Sequence, residues 1–426
     1  MMSIPLAVEA NASVHSDYSL QLNRWQLKLI GAWPASSSTT RPQRIVSVIS
    51  NIVCYSFLVF TWIVCLLHLL LELDTVYVKL GIVGAMSHWF VSNVTYTTFL
   101  VKRNDIRNFV QQIETDWRTV TKEKHQEVML KYAKLGRYVT TFCTVFMQGG
   151  FLGFCFVTAL STEEIQVGNE TKTVHLIPFP VYKKFLNIEE NPTNRIVFSV
   201  ETFAIFLANS CTAGAYSLSA VLAAHACGQL GVIKVRLTEF VDASGSQNKE
   251  NVFGKIGAIV EHHLRTLNFI ACIEKMMNRI YFFEFFRCMF ALCITGYMFL
   301  MDLANQNVKN MATLSTCVVS LCFNIFIMCY ISELLTEQCK EVGDIIYTTN
   351  WYDLPNKMIL DLILIIVRSN LVVDITAGKI VHLSIRVFGN KNHFRIHKHN
   401  ATDDIVKSIL REFTCRIQKL EIQETL

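Results

Sequence analysis

The sequence predicts an all-α, multi-pass membrane bundle, and three observations carry that prediction. Six stretches are apolar over about 20 residues or more, the length that crosses a bilayer as a helix. Hydrophobic residues make up 52% of the 426-residue chain and charged residues only 17%, against about 25% charged in soluble domains. Basic residues, finally, crowd alternate connections between the apolar stretches.

Residues 1–44 come first. MMSIPLAVEANASVHSDY has no basic start followed by an apolar core, so a cleaved signal peptide is not expected. The expected spans lie at about 45–71, 77–101, 136–160, 196–224, 281–302 and 311–332. The fifth carries Glu284 and Arg287 in its first turns, which places that pair at the membrane interface and leaves 288–300 as its apolar centre. Glu201, near the start of the fourth, reads as solvated or at headgroup depth. The N-terminal segment, second loop and fourth loop hold four, eight and seven basic residues; the first, third and fifth loops hold none, four and one. Lys and Arg stay on the cytoplasmic side, so the N-terminus is expected in the cytoplasm and residues 161–195 outside. Asn169-Glu170-Thr171 is then an accessible glycosylation sequon.

The stretch 354–370 is apolar for only about ten residues and is broken by Asp361. It is too short to span and suits a buried or interfacial helix on the cytoplasmic side. Pro355 fits its first turn.

Several function classes fall away. The 14 cysteines form no C-x-x-C pair and lie mostly in apolar runs, as small buried hydrophobes do. His88, His225, His262 and His263 have no metal-ligand spacing, so no metal, cofactor or catalytic residue is expected, and the formal charge of +5 does not require nucleic acid. A G-protein-coupled receptor is excluded by the opposite orientation, by the lack of an Asp/Glu-Arg-Tyr after the third span and of a late Asn-Pro-x-x-Tyr, and by a third loop without cysteine.

NRWQLKLIGAWP (23–34), HACGQLGVIKVRL (225–237), IVEHHLRTLNFIACIEKM (259–276), CYISELLTEQCKEVGDIIYTTNWYDLPNKMILDLILIIVRSN (329–370) and ITAGKIVHLSI (375–385) occur in one order across nearly the whole chain. Together they resemble the insect odorant receptor family. The resemblance implies a subunit of a ligand-gated, non-selective cation channel in the plasma membrane of a sensory neuron, assembled as a hetero-tetramer with a shared co-receptor subunit. It implies a small apolar or semi-polar volatile ligand held in the outer half of the bundle. Candidate lining residues are His88, Trp89 and Tyr96 on the second span, Met147, Phe151 and Phe154 (with Phe156) on the third, Phe206 (with Phe203) on the fourth, and Phe323 and Phe326 on the sixth. Gly149, Gly150 and Gly153 would leave room for a ligand or let helices approach closely. It also implies that the short helix anchors the subunits, beginning at Trp351, Tyr352, Leu354 and Pro355 and packing through Leu360, Leu362, Ile363 and Ile366; the two aromatics could equally sit at the membrane interface.

In that family Thr376, Ala377, Gly378 and Lys379 would open a seventh, pore-lining helix. Here the likeness stops after Gly389, and residues 390–426 carry a charge or His about every third position. Such a segment does not enter hydrocarbon, where a central Lys or Arg costs roughly 3 kcal/mol. The expected organisation is therefore a cytoplasmic segment (1–44), a six-span ligand bundle with long cytoplasmic loops (45–332), an anchor region (333–375), a remnant of the pore-helix start (376–389) and a polar tail (390–426). A gustatory-type receptor channel and a non-conducting isoform without its pore helix are the alternatives.

Overall fold

The computed structural model describes residues 6–35, 39–167, 170–179, 192–244, 249–349, 351, 356–370 and 375–385. The sequon Asn169, the anchor positions Tyr352, Leu354 and Pro355, and the tail 390–426 lie outside them. The elements run α1 (Leu6–Leu29), α2 (Arg41–Leu71), α3 (Val76–Val101), α4 (Arg103–Thr119), α5 (Glu123–Leu160), β1 (Thr162–Val167), β2 (Glu170–His175), α6 (Thr193–Ser244), α7 (Lys249–Ala304), α8 (Val308–Thr348), α9 (Asn356–Asn370), β3 (Thr376–Ala377) and β4 (Val381–His382). Two antiparallel pairs, β1–β2 and β3–β4, are the sheet structure among these residues.

Five of the described helices, α2, α5, α6, α7 and α8, are long and apolar enough to cross a membrane. The second expected span forms α3, 26 residues long and so about 39 Å at 1.5 Å per residue. It has the length but not the apolarity of the others. Its polar groups face inward instead: Ser92 and Thr95 are buried, and Asn93 Nδ2 donates to Leu58 O on α2 at 3.1 Å. The lipid-facing surface is apolar, as on α2, where Ile45, Val46, Val48, Ile49 and Ile52 are all exposed.

The long second and fourth loops expected between the spans are helices in their described residues. α5 starts well before its apolar half, α6 runs 52 residues and α7 runs 56. The polar parts of these helices keep an apolar stripe, with Leu230, Val232, Ile233 and Leu237 on α6 and Ile256, Ile259, Ile270 and Ile273 on α7 all buried. A segment with such a stripe stays helical outside the membrane because its neighbours cover the stripe. α4 has the same character, burying Ile106, Phe109, Ile113 and Trp117.

α1 folds back beneath the bundle. Gly31 closes it with φ +71°, a conformation that favours glycine. Its carbonyl accepts from Arg103 at 2.9 Å and from Ser47 at 3.1 Å. Buried Asn23 donates to Ser217 on α6 at 2.8 Å, and Arg137 on α5 lies 4.5 Å over the Tyr18 ring.

The expectation that Thr376–Lys379 open a helix is corrected. β3 and β4, two residues each, form a hairpin in which Ala377 faces Val381 across a three-residue loop, with positive φ at Gly378 and Lys379, the signature of a primed turn. Thr376 Oγ1 donates to Glu274 Oε1 and accepts from Asn278 Nδ2, both at 2.9 Å. Ser332 Oγ on α8 donates to Ile375 O at 3.1 Å, and Ile385 N donates to Glu333 at 3.0 Å. The segment is stapled to α7 and α8, and these side-chain partners outweigh the helical reading of its sequence.

Candidate functional site

The candidate ligand region lies where α3, α5 and α6 meet the loop after β2. Trp89 is buried on α3 and meets Phe179 edge-on, with ring centroids 6.2 Å apart. Phe179 N donates to Glu201 Oε2 at 3.1 Å. Glu201 is thus not solvated: it is buried and holds the loop over Trp89. Met147 and Phe151 are buried on α5, and Phe154 and Phe206 pack against the same core, half-buried. Gln148 Nε2 donates to Ser210 Oγ on α6 at 3.0 Å. A Cβ added at Gly149, Gly150 or Gly153 would meet nothing within 4 Å, so these glycines do not serve close helix packing.

His88 adds polarity to this apolar setting. It hydrogen-bonds the side chain of Asn209 on α6, while its buried Nε2 has no protein partner among the described residues. Near it lies an ion pair in the bundle: Arg287 Nε donates to Glu284 Oε2 at 3.0 Å, and Tyr216 OH donates to Glu284 Oε1 at 3.2 Å. The pair does not face solvent, since Glu284 is 2% and Arg287 8% exposed. α7 begins far upstream, so neither residue stands at a helix start, and Tyr216 from α6 completes the carboxylate's partners.

Other candidates point elsewhere. Tyr96 OH donates to Ile30 O at 2.8 Å and to Asn51 Oδ1 at 3.0 Å; it ties α3 to the end of α1. Phe323 packs on Phe146 and Phe142 of α5 at 4.2 and 5.6 Å. Phe326 stacks on Tyr330 along its own helix at 6.1 Å. Phe156 and Phe203 are exposed on the bundle surface. Asn209, Phe179, Tyr216 and the Glu284–Arg287 pair were not among the expected lining groups. The i, i+3 spacing of opposite charges inside an apolar run was the one signal pointing to the pair.

On α9, Leu362 and Ile366 are buried inside the chain, with Met358 and Ile365. The apolar face left open is Leu360, Ile363, Leu364 and Val367. Of the expected anchor residues, Leu360 and Ile363 are on that face and Trp351 packs half-buried against the core.

Comparison with known proteins agrees with this architecture. A family profile described as "7tm Odorant receptor" matches residues 83–391. Odorant receptor Or2 of Anopheles gambiae is 21% identical over 317 residues, which is 73% of this chain and 80% of that protein. Odorant receptor 83a of Drosophila melanogaster is 20% identical over 129 residues, 30% of this chain and 28% of that one. The olfactory receptor OR5 of Machilis hrabei in complex with eugenol superposes with a TM-score of 0.71 at 11% identity, covering 93% of this chain and 97% of that one. The fold therefore agrees across the length of a solved receptor, and the profile spans more than half of this sequence: the chain belongs to the odorant receptor family.

Proposed function

We propose that this chain is the ligand-recognising subunit of a heteromeric, ligand-gated cation channel in a sensory plasma membrane, with its N-terminus in the cytoplasm. The ligand is a small apolar or semi-polar volatile molecule. The observation that carries the reading is on α3, where buried Trp89 neighbours His88, whose buried Nε2 has no protein partner among the described residues, with Met147 and Phe151 buried on α5. Apolar walls with a few placed polar groups are what small-molecule sites need. The solved relative in complex with eugenol supports a ligand of this size class.

The partner is a co-receptor subunit of the same fold, and the open apolar face of α9 is the surface offered to it. The polar composition of residues 390–426 supports a second part of the reading: this subunit contributes an incomplete pore lining, and conduction depends on its partners. Two readouts separate these parts. In purified complexes with the co-receptor, a volatile ligand should raise the unfolding temperature, and His88→Ala should weaken that response about tenfold, the scale of one hydrogen bond of about 1.4 kcal/mol. In whole cells the same ligand should evoke little current. A current of ordinary size overturns the pore reading; a response untouched by His88→Ala overturns the ligand site.

A further inference from the structure

At the basic end of the bundle, well away from the ligand region, a cavity of about 540 Å³ opens between three elements. The α4–α5 turn supplies Lys122 and His125, the last turns of α6 supply Arg236 and Glu239, and the first turns of α7 supply Lys255. Among these described lining groups three permanent cations face one carboxylate. Glu239 is already drawn into their field: Lys122 Nζ donates to its Oε2 at 2.7 Å, and His125 Nε2 stands 3.8 Å from its Oε1. That pairing with Lys122 holds the Glu239 carboxyl below its usual range, while burial and the neighbouring cations Arg236, Lys122 and Lys124 push the His125 imidazole down. Arg236 is crowded by Arg265 as well.

We infer that this cavity is a binding site for a soluble, multiply phosphorylated small molecule, whose phosphate oxygens take over Lys122 from Glu239 and engage Arg236 and Lys255. The volume is in the range of small-molecule sites, roughly 300–1,000 Å³. Cations gathered in a cleft focus their field on a multivalent anion, and Arg and Lys are the donors that phosphate oxygens select.

Depth in the structure decides between a soluble phosphate and a lipid headgroup. The 29 residues 196–224 of α6 already cover roughly 43 Å, the full thickness of a bilayer with its headgroups. Arg236 lies twelve residues further along the same helix, about 18 Å beyond that layer. A phosphate fixed in the membrane plane does not reach it.

The test uses the full-length receptor in detergent, titrated with inositol hexakisphosphate, ATP and inorganic phosphate while its unfolding temperature is followed. Saturable stabilisation by the polyphosphates, and much less by inorganic phosphate, is expected. Lys122 and Lys255 are exposed, so the double variant Lys122→Glu/Lys255→Glu should fold and bind at least about tenfold more weakly, as loss of charge-assisted hydrogen bonds requires. Glu239→Gln should bind more tightly than the native chain, because it removes the competing carboxylate. Equal binding by native chain and double variant overturns the site. Binding only to vesicles containing phosphatidylinositol 4,5-bisphosphate, with none to the soluble polyphosphates, overturns the choice of a soluble ligand.

Discussion

Single residues set the strictest tolerances in this bundle. Glu284 and Arg287 form a buried charge pair, with Tyr216 donating to Glu284 and Arg287 donating also to Cys288 Sγ. Breaking such a pair leaves one charge buried and uncompensated, at a cost of about 3–5 kcal/mol, whereas replacing both partners with apolar groups is often neutral. Glu284→Gln should therefore lower the unfolding temperature and the surface level sharply, and Glu284→Gln/Arg287→Met should restore most of both. Gly378 is held as tightly by shape. A Cβ there would stand 2.2 Å from the Phe282 ring, on a backbone at φ +66°. Gly378→Val should destabilise by more than about 2 kcal/mol, the combined scale of a strained φ and an overpacked contact. Lys379→Gly, next to it at φ +59°, should be neutral or slightly favourable, which urea unfolding of the two variants would check.

At the scale of elements, α9 and the β3–β4 hairpin are where sequence reading and structure part most usefully. The sequence identifies α9 correctly as a helix too short to span, since ten apolar residues and Asp361 leave no other reading. Which of its faces is free is a different matter. Leu362 and Ile366 look as suitable for a partner as Leu364 and Val367 do, because periodicity reveals that a helix has an apolar side but not what covers it. α7 and α8 take the first pair, leaving Leu364 and Val367 outside. The double variant Leu364→Asp/Val367→Asp should leave the unfolding temperature of the isolated subunit nearly unchanged and reduce the fraction migrating as an assembled complex on native gels. The hairpin was illegible for a related reason. Ile375, Thr376 and Gly378 are held because Ser332, Glu274 and Asn278 stand ready to bind them, and those partners lie about 40 to 100 residues away in the chain.

For the whole molecule, the basic end of the helices has its own polar network. Buried Asp116 accepts from Arg265 at 2.6 Å and pairs with His225 at 3.0 Å, while His262 Nε2 meets Gln229 Oε1 at 2.7 Å. Burial, with Arg236 and Arg265 nearby, pushes His262 down to about 3; burial, with Arg368, pushes His263 down to about 4. Both are neutral in the folded chain and would titrate near 6.5 when unfolded. Between those values the unfolded chain binds more protons, so stability rises with pH there. It is fully present above about pH 6.5 and drains as the pH falls towards 4. Unfolding temperatures should decline steadily from pH 7.5 to pH 5, and His263→Gln should flatten part of that decline.

By itself the sequence determined the class of molecule, the membrane-crossing helices and the family. Those depend on the length and apolarity of contiguous segments and on motif order, which are properties of neighbours in the chain. It also named Trp89, Met147 and Phe151, which the structure buries in the bundle. Only the tertiary structure decided that the second and fourth loops are helices, that Glu201 and the Glu284–Arg287 pair are buried, that Tyr96 bonds the end of α1, and which face of α9 is open. Each of those depends on a partner far away in sequence, and burial and pairing are set by what stands opposite a residue in space.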